Sequence, residues 1–219
     1  MTDTLIVNEI FLSIQGEGTR AGLPCTLVRL TGCNLRCTWC DTPYAWNEGQ
    51  EMSLQEVLSR VAELRCTRVE VTGGEPLCQA ATPALLESLC DRGWETLLET
   101  NGSIDLAAVD PRVIKIVDFK CPSSGQEHAN RWENIQYLAA ADEVKFVIAD
   151  RRDFEFASAA VARGALTRRK CAVIFSGVFG QIEPATLARW LLADCRSLEG
   201  VRLGLQLHRM IWPGKERGV

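Results

Sequence analysis

Three cysteines stand close together near the start of the chain, in the run Cys-Asn-Leu-Arg-Cys-Thr-Trp-Cys. They are Cys33, Cys37 and Cys40, separated by three and then two residues. Three thiolates at this spacing can surround one corner of a small cluster or ion and leave a coordination position open. The run lacks the paired C-x2-C of zinc ribbons, and no histidine follows at zinc-finger distance. It therefore predicts an iron–sulfur cluster with three protein ligands and a small-molecule fourth.

A second pattern lies downstream, where a β-branched run ends in two glycines. Residues 68–72 alternate as expected for a strand, and Gly73, Gly74 and Glu75 follow directly, with Pro76 after them. Glycines at a strand end let the backbone approach a ligand closely, and the glutamate adds an anionic acceptor. This turn could therefore bring backbone groups and a carboxylate close to a ligand.

Short β-type runs and helical runs alternate along the chain, which is typical of a parallel sheet with crossover helices. Strands are predicted at residues 26–30, 68–72, 96–99, 113–118, 144–148, 172–175 and 201–207. Helices are predicted near residues 53–64, 82–92, 132–141, 154–162 and 184–193. The cysteine loop, the Gly-Gly-Glu-Pro turn, residues 100–102 and the stretch after Asp118 all follow predicted strands, so we expect them to meet at one mouth.

Local signals mark the ends of two predicted helices. Ser53 with Glu56 three residues later forms a capping box. Thr82 and Pro83 are predicted as N-cap and first-turn residue, and Gly93 is predicted to stop the same helix.

Composition places the chain among ordinary globular proteins. Its 219 residues can bury a full core, and we expect one domain spanning residues 1–219. A net charge of -4 argues against a nucleic-acid partner, and no apolar run is long enough for a membrane span. The start of the chain lacks the features of a signal peptide, so a reducing cytoplasm is expected.

Two residue groups receive non-functional interpretations. The seven cysteines outside the triad are scattered, and most are expected to be small buried apolar residues. The basic cluster of Arg163, Arg168, Arg169 and Lys170 is interpreted as solvated surface. His128 lies in a polar stretch and is expected on a surface loop.

The cysteine spacing, with Trp39 before the last cysteine, and the Gly-Gly-Glu-Pro turn resemble the signature of radical S-adenosylmethionine (SAM) enzymes. The resemblance implies a single-domain α/β fold, a partial (incomplete) TIM-type barrel of parallel strands with the site at their C-terminal ends. Cys33, Cys37 and Cys40 would bind three irons of a [4Fe–4S] cluster, and SAM would chelate the fourth. Gly73, Gly74 and Glu75 would bind the methionine amino group of SAM.

Further motifs resemble one branch of that superfamily, the 7-carboxy-7-deazaguanine synthase family. They are the run from Phe11 to Gly18, Arg29, the Cys-Asp-Thr run ending at Thr42, and Gln206-Leu-His208 with Trp212-Pro213. The resemblance implies a lyase of queuosine-type biosynthesis that contracts 6-carboxy-5,6,7,8-tetrahydropterin to 7-carboxy-7-deazaguanine and ammonia, with SAM reused rather than consumed. It also implies Mg²⁺, an electron donor such as a flavodoxin or ferredoxin, and a homodimer.

The same resemblance implies roles for individual residues, and it leaves the catalytic side chain unassigned. The implied substrate contacts are Ile14, Gln15, Gly16, Glu17, Arg29, Thr72 and His208. Gln15 and Gly16 would act through backbone groups, and Arg29 and His208 are expected near the substrate carboxylate. Thr42 would bind Mg²⁺. Further SAM contacts are implied for Asp118, Phe119, Lys120, Ser176, Gly177, Val178 and Phe179, although Gly177 stands where the family usually has proline.

Two other functions compete with this interpretation. A glycyl-radical-enzyme activase would share the cluster and the clamp, but it would act on a protein substrate. A non-catalytic iron–sulfur or zinc-binding module would need only the cysteines. The Gly-Gly-Glu-Pro turn and the strand–helix alternation argue against the second alternative.

Overall fold

A computed structural model of the chain describes residues 3–163, 166 and 170–219. The strands run β1 Thr4–Ile14, β2 Pro24–Leu30, β3 Gln50–Ser53, β4 Arg68–Gly73, β5 Glu95–Thr100, β6 Ile114–Phe119, β7 Glu143–Ile148, β8 Ala172–Gly177 and β9 Val201–Gly204. The α-helices run α1 Leu54–Glu63, α2 Thr82–Asp91, α3 Arg151–Ala162, α4 Pro184–Ala193 and α5 Leu207–Ile211. Two members of the predicted basic cluster, Arg168 and Arg169, lie outside the described residues.

The strands form one sheet in the order β3-β1-β2-β4-β5-β6-β7-β8-β9. From β2 onward to β9, neighbouring strands are parallel. β1 pairs antiparallel with both β2 and β3. Within the described ranges the sheet is not closed, because its order ends at β3 and β9. The predicted α/β partial barrel is therefore confirmed, and the antiparallel edge of β1 and β3 is an addition that the sequence analysis did not predict.

The parallel strands present alternate residues to opposite faces, as strand geometry requires. On β4, Val69 and Val71 belong to the hydrophobic core, which includes the buried residues of α1 and α2. Glu70 and Thr72 point the other way and line a cavity inside the curved sheet. One face therefore builds the core, and the other face carries polar residues to a site.

The helix ends agree with the predicted signals in one case and differ in another. Ser53 and Glu56 form the predicted capping box at the start of α1. The N-cap of α2 is Ala81 rather than Thr82. Thr82 is fully buried, and its hydroxyl donates to the carbonyl of Pro76 at 2.6 Å. The predicted cap was wrong because this hydroxyl binds the preceding turn. No helix in the described part is both long and apolar enough to span a bilayer.

Two predicted elements near the site have a different form in the structure. The strand predicted over residues 201–207 ends at Gly204, and residues from Leu207 onward form α5. A side chain at Gly204 would collide with Ser176, so the chain packs closely before turning away. The helix predicted over residues 132–141 is a 3-10 helix, Trp132–Tyr137. The buried Asn134 amide donates to the carbonyls of Gly102 and Ile104, which holds this segment close to the β5–β6 connection.

The scattered cysteines are less buried than expected. Of the seven outside the triad, Cys25, Cys121 and Cys171 are buried, whereas Cys78 and Cys195 are exposed and the remaining two are intermediate. The expectation that most would be core residues was therefore wrong. Their distribution over both core and surface agrees with the absence of any shared ligand spacing.

Candidate active site

A cavity of about 430 Å³ opens inside the curved sheet. Strands β2, β4, β5, β6 and β7 supply its walls, together with the cysteine loop and the segment after β1. The predicted site residues that line it are Ile14, Gln15, Gly16, Glu17, Arg29, Cys33, Cys37, Cys40, Thr42, Thr72, Gly73, Gly74, Asp118, Lys120, Val178, Phe179 and His208. Most residues named from the sequence are thus brought to one cavity.

The cysteine loop follows β2 and presents its three thiols to the cavity. Cys33, Cys37 and Cys40 are free and partly exposed. Burial raises the pKa of the Cys33 and Cys37 thiols, and the ammonium of Lys120 opposes the shift in both. No three His, Cys, Asp or Glu side chains in the described ranges converge on a single ion. Separate thiols lining one cavity fit a cluster, in which each cysteine binds a different iron.

Tertiary contacts hold the middle of this loop in place. The Thr38 hydroxyl donates to the carbonyl of Ser123 at 2.7 Å, and the indole N–H of Trp39 donates to the Ser123 hydroxyl at 3.3 Å. That hydroxyl in turn donates to the carboxylate of Asp153, and the Ser123 N–H donates to the same carboxylate at 2.9 Å. Asp153 is buried in the first turn of α3. The loop between the cysteines is therefore tied to a helix on the far side of the sheet.

The two glycines after β4 allow a close approach of two backbones. A Cβ on Gly73 would lie 2.1 Å from the carbonyl oxygen of Leu30, and one on Gly74 would lie 2.2 Å from that of Gly32. Gly73 also has a φ of +145°, which disfavours other residues. Both glycines line the cavity. Glycine is therefore needed at both positions because a side chain would prevent the turn from packing against the start of the cysteine loop.

Glu75 differs from the prediction, because its side chain does not line the cavity. The carboxylate is fully buried and accepts bonds from the Thr100 hydroxyl and, at 2.7 Å, from the Asn101 N–H. Burial raises the pKa of Glu75, although these hydrogen bonds act in the opposite sense. In this structure Glu75 joins the ends of β4 and β5 and supports the adjacent glycines, rather than offering a free acceptor.

The segment after β1 lies at the opposite end of the barrel from the cysteines. Because β1 is antiparallel to β2, Ile14 pairs with Pro24 at the beginning of β2. The backbone N–H of Gln15 donates to Leu23, and the carbonyl of Gly16 accepts from Leu207 at 2.9 Å. These backbone groups, predicted to contact substrate, are engaged within the protein. The segment forms the floor of the cavity.

Gly16 is matched to His208 on α5. A Cβ on Gly16 would lie 2.0 Å from Nδ1 of His208, so only glycine leaves room for the imidazole. Burial lowers the pKa of His208, although the Glu17 carboxylate opposes this shift. His208 lines the cavity as predicted, but it is carried by a short helix rather than by the end of β9.

Charged side chains from three strands and the floor form a continuous chain of contacts. The Lys145 ammonium donates to Glu17 at 2.9 Å and to Glu99 at 2.5 Å. The Thr72 hydroxyl donates to the other oxygen of Glu99 at 3.0 Å. Burial would raise the pKa of Glu99, but Lys145 outweighs it and lowers the pKa to about 2. Burial likewise opposes the charge of Lys145, yet Glu17 and Glu99 raise its pKa.

A buried carboxyl lies beside this chain of contacts. Glu70 is 2% exposed, and its carboxyl accepts from the side-chain amide of Gln15. Burial raises the pKa of Glu70 well above its ordinary value, and the nearby Glu99 carboxylate adds to the shift. Glu70, Glu99 and Lys145 were not predicted as site residues. Charged residues at alternate positions of otherwise apolar strands were the signal that could have identified them.

Arg29 lies between two aromatic rings at one side of the cavity. Its Nε donates to Glu9 at 2.8 Å, and its guanidinium stands about 6 Å from the rings of Phe11 and Tyr44. The Tyr44 hydroxyl also donates to Glu9. This pairing leaves the two terminal nitrogens of Arg29 for a ligand. The chain after Pro213 approaches the same place, because the hydroxyl oxygen of Tyr44 lies 3.1 Å from the carbonyl oxygen of Glu216.

The remaining predicted residues divide between cavity and core. Asp118 accepts from Lys120 at 2.8 Å, and its other oxygen is buried without a hydrogen-bond partner while the residue lines the cavity. That oxygen is an acceptor suited to a ligand donor. Phe119 is fully buried and stacks on Trp132. After β8, Val178 and Phe179 line the cavity, whereas Ser176 and Gly177 do not.

Thr42 stands at the cavity edge after the last cysteine. Its hydroxyl lies 4.0 Å from the Cys40 sulfur, and its carbonyl accepts from the N–H of Ala45 at the start of a short 3-10 helix. The turn is structural, and the side chain still lines the cavity.

The fold and the thiol-lined cavity define a class of protein, the radical SAM enzymes. Residues 27–119 match the family model described as the Radical SAM superfamily. The crystal structure of QueE from Escherichia coli is similar, with a TM-score of 0.75 at 24% sequence identity over 94% of this chain and 95% of that one.

Sequence relatives define the family more closely. The chain is 43% identical to the 7-carboxy-7-deazaguanine synthase of Koribacter versatilis over 97% of its length and 99% of the relative. It is 46% identical to the enzyme of the same name from Chlorobaculum tepidum over 98% of its length and 97% of that relative. The chain belongs to the 7-carboxy-7-deazaguanine synthase family. Membership implies a [4Fe–4S] cluster and SAM, and the three free thiols of the cavity fit that cluster.

Proposed function

We propose that this enzyme contracts the ring of 6-carboxy-5,6,7,8-tetrahydropterin and releases 7-carboxy-7-deazaguanine and ammonia, with SAM reused between turnovers. Family membership supports the reaction, since relatives are named for this product. The observation that carries the proposal is the cavity itself, which is lined by three thiols and also by carboxylates, a guanidinium and an imidazole. These groups match a radical cofactor together with a polar, carboxylated heterocycle.

A [4Fe–4S] cluster with SAM at its open iron supplies one-electron chemistry that removes a hydrogen atom from a carbon. Cys33, Cys37 and Cys40 would hold that cluster. The glycine turn leaves room beside it, and the unpaired oxygen of Asp118 would accept a hydrogen bond from SAM. The protein's part is to keep the reacting groups together and dry, so that hydrogen removal and return occur within one complex.

The chain's own residues would also orient the substrate. Arg29 has two free terminal nitrogens and could bind a carboxylate bidentately. His208 is kept neutral by burial at pH 7, so an imidazole N–H could donate to the same carboxylate. Glu17 would accept hydrogen bonds from N–H groups of the heterocycle.

Mg²⁺ binding at Thr42 is part of the proposal. A hydroxyl is a hard oxygen ligand, and Mg²⁺ keeps several ligands that are not protein side chains. Thr42→Ala should therefore weaken the stimulation of turnover by Mg²⁺ while leaving the cluster intact. Iron content and activity across a Mg²⁺ titration test this, and an unchanged Mg²⁺ response would remove Thr42 from the proposal.

The proposal also includes the surroundings of the enzyme. The three thiols of the triad, Cys33, Cys37 and Cys40, are free, which suits a reducing cytoplasm. A flavodoxin or ferredoxin would supply the electron, and a homodimer is proposed from the family resemblance.

The function is tested by anaerobic reconstitution with iron and sulfide, reduction with dithionite, and incubation with SAM and 6-carboxytetrahydropterin. We expect 7-carboxy-7-deazaguanine in clear molar excess over 5′-deoxyadenosine. Cys37→Ala is the negative control, and a protein substrate of a glycyl-radical activase is the competing substrate. Turnover of the protein substrate, or no turnover of the pterin by a cluster-loaded sample, would contradict the proposal.

A further inference from the structure

Two strands of the cavity wall carry a hydrogen-bond acceptor and donor that the roles proposed above do not use. Glu99 on β5 and Lys145 on β7 meet at 2.5 Å across Ile116 of β6, and all three line the cavity. The side chain of Lys145 is only 6% exposed and that of Glu99 is 30% exposed, so the ammonium is buried while the carboxylate faces the cavity. An ion pair buried in an open cavity needs hydrogen-bond partners for its remaining atoms.

The hydrogen-bonding capacity of the pair is only partly filled. The ammonium of Lys145 has three hydrogens, and two are donated to Glu17 and Glu99. Each oxygen of Glu99 accepts one bond, from Lys145 and from Thr72 respectively, so each can accept one more. One donor and two acceptors therefore stand side by side for a ligand.

The two carboxylates held by Lys145 differ in how open they are. The side chain of Glu99 is 30% exposed and that of Glu17 is 19% exposed. Glu17 is also covered from another direction, because the Gln206 amide donates to its second oxygen at 2.9 Å. Glu99 is therefore the better placed of the two to meet a ligand edge. Its low pKa, to which Lys145 contributes, keeps it ionised at neutral pH.

A row of one donor and two acceptors has a specific complement. The 2-amino-4-oxopyrimidine edge of a pterin presents a carbonyl oxygen at C4, then N3–H, then an amino group at C2. Resting on the proposed function, we propose that Glu99 and Lys145 together select the substrate by this edge. Glu99 accepts from N3–H and the 2-amino group, and Lys145 donates to the C4 oxygen. Thr72 is a positioning residue that fixes the plane of the Glu99 carboxylate.

The surroundings favour a flat heterocycle at this place. Leu27, Ile116 and Val147 line the same cavity from three strands and supply apolar contact. Water excluded by such a ring leaves the charged pair without solvent partners, so a ligand lacking the matching groups is penalised strongly. Specificity would thus come as much from the unpaired charges left when a mismatched ligand binds as from the hydrogen bonds made to the matching ligand.

The test measures binding without turnover. Reconstituted holoenzyme with SAM and an unreduced cluster is titrated with 6-carboxypterin and with 6-carboxylumazine, which carries a carbonyl at C2 instead of the amino group. The wild type should bind the pterin at least about a hundredfold more tightly. In Glu99→Gln the preference should fall below about tenfold, because an amide accepts from one ligand and donates to the other.

Two further variants separate the roles of the pair. Lys145→Met should weaken both ligands by similar factors, because both carry the C4 oxygen. Glu87→Gln changes an exposed residue of α2 and should leave both affinities unchanged. Iron content and circular dichroism verify that each variant is folded, and equal affinity of the wild type for both ligands overturns the assignment even where a variant does not fold.

Each outcome has a distinct meaning. Equal affinity of the wild type for both ligands, or an undiminished preference in Glu99→Gln, would overturn the assignment while conversion of 6-carboxytetrahydropterin still proceeded. If the holoenzyme neither binds 6-carboxypterin nor converts the reduced pterin, the proposed function itself fails.

Discussion

Single residues in this protein owe their chemistry to the neighbours that the fold supplies. Glu70 and Glu99 lie on adjacent strands and face the same cavity, yet burial raises the pKa of Glu70 while Lys145 lowers the pKa of Glu99. The cysteines show the same dependence, since three of ten line the cavity and the others are dispersed. Substitutions at these positions should therefore give sharply different results.

The first prediction concerns the cluster ligands. Cys37→Ala should lose the [4Fe–4S] cluster, because one of three thiolate ligands is removed. Cys195→Ala, at an exposed position away from the cavity, should keep it. Iron and sulfide content after anaerobic reconstitution, together with the absorbance near 400 nm, measures the difference between the two variants. Cys195→Ala should contain roughly one cluster per chain more than Cys37→Ala. A full complement of iron in Cys37→Ala would contradict the assignment.

The second prediction concerns the buried carboxyl of Glu70. Its folded pKa is raised above the ordinary 4.5, so its stabilising contribution is complete below pH 4.5 and is lost as the pH rises toward the folded value. Glu70→Gln cannot titrate and keeps an oxygen for Gln15 to donate to. Relative to wild type, its free energy of unfolding should therefore increase as the pH rises above 4.5.

Urea unfolding of the two proteins at pH 5 and pH 8 measures this difference. The variant should gain stability over wild type between the two pH values. A stability difference that is the same at both pH values would mean that Glu70 is ionised in the folded protein. Glu87→Gln, on the exposed surface of α2, serves as the control for adding an amide.

At the scale of elements, the site depends on how the ends of strands and loops meet. The floor loop after β1 is attached to α5 through the bond from Leu207 to Gly16 and through the packing of His208. The turn after β4 is attached to the start of the cysteine loop through two glycines. In both places a missing side chain allows two elements to approach.

The third prediction tests one of these contacts. Gly16→Ala would place a Cβ 2.0 Å from Nδ1 of His208, so α5 or the floor loop must move. We expect a loss of stability of about 1–3 kcal/mol and weaker pterin binding. In a His208→Ala background the same substitution should cost much less, because most of the collision is gone.

A double-mutant cycle of unfolding free energies measures this coupling. A coupling energy above about 0.5 kcal/mol supports the contact between the floor loop and α5. Additive effects of Gly16→Ala and His208→Ala would show that the two residues do not meet in solution.

At the scale of the whole molecule, an outer helix supports the cluster loop. Asp153 on α3 holds Ser123, and Ser123 holds Thr38 and Trp39 between the second and third cysteines. The path crosses from the helix layer to the cavity. It links residues more than a hundred positions apart in the sequence, so the geometry of the cysteine loop depends on the docking of α3.

The fourth prediction compares two aspartates of that helix end. Asp153→Asn replaces one acceptor oxygen by an amide donor that faces N–H groups, which should cost about 1–3 kcal/mol and shift the cluster loop. Asp150→Asn retains a good N-cap and should cost little. Electron paramagnetic resonance of the reduced cluster should change in the first variant only.

The unfolding free energies of both variants provide the second measurement. If Asp153→Asn were destabilised while its cluster spectrum remained that of wild type, Asp153 would stabilise α3 without positioning the loop. Identical spectra and stabilities in both variants would contradict the contact altogether.

The amino-acid sequence by itself determined the features that are contiguous in the chain. The cysteine spacing, the glycine turn, the capping box of Ser53 and the alternation of strands and helices depend on residues a few positions apart, where local geometry sets the outcome. These features were sufficient for the α/β partial barrel and the family. Most of the site residues named through the family resemblance line the cavity, but Glu70, Glu99 and Lys145 line it too and were not named.

Only the tertiary structure decided what depends on strand direction and register. Because β1 is antiparallel to β2, it carries Gln15 and Glu17 to the floor of the cavity. The order of the four strands from β4 through β7 brings Thr72, Glu99 and Lys145 into one chain of contacts. The hydrophobic periodicity of a strand is the same whether the strand runs parallel or antiparallel to its neighbours. It therefore contains no information about which side chains of different strands come into contact. Burial then changes the charges, because desolvation and the nearest partner determine each pKa.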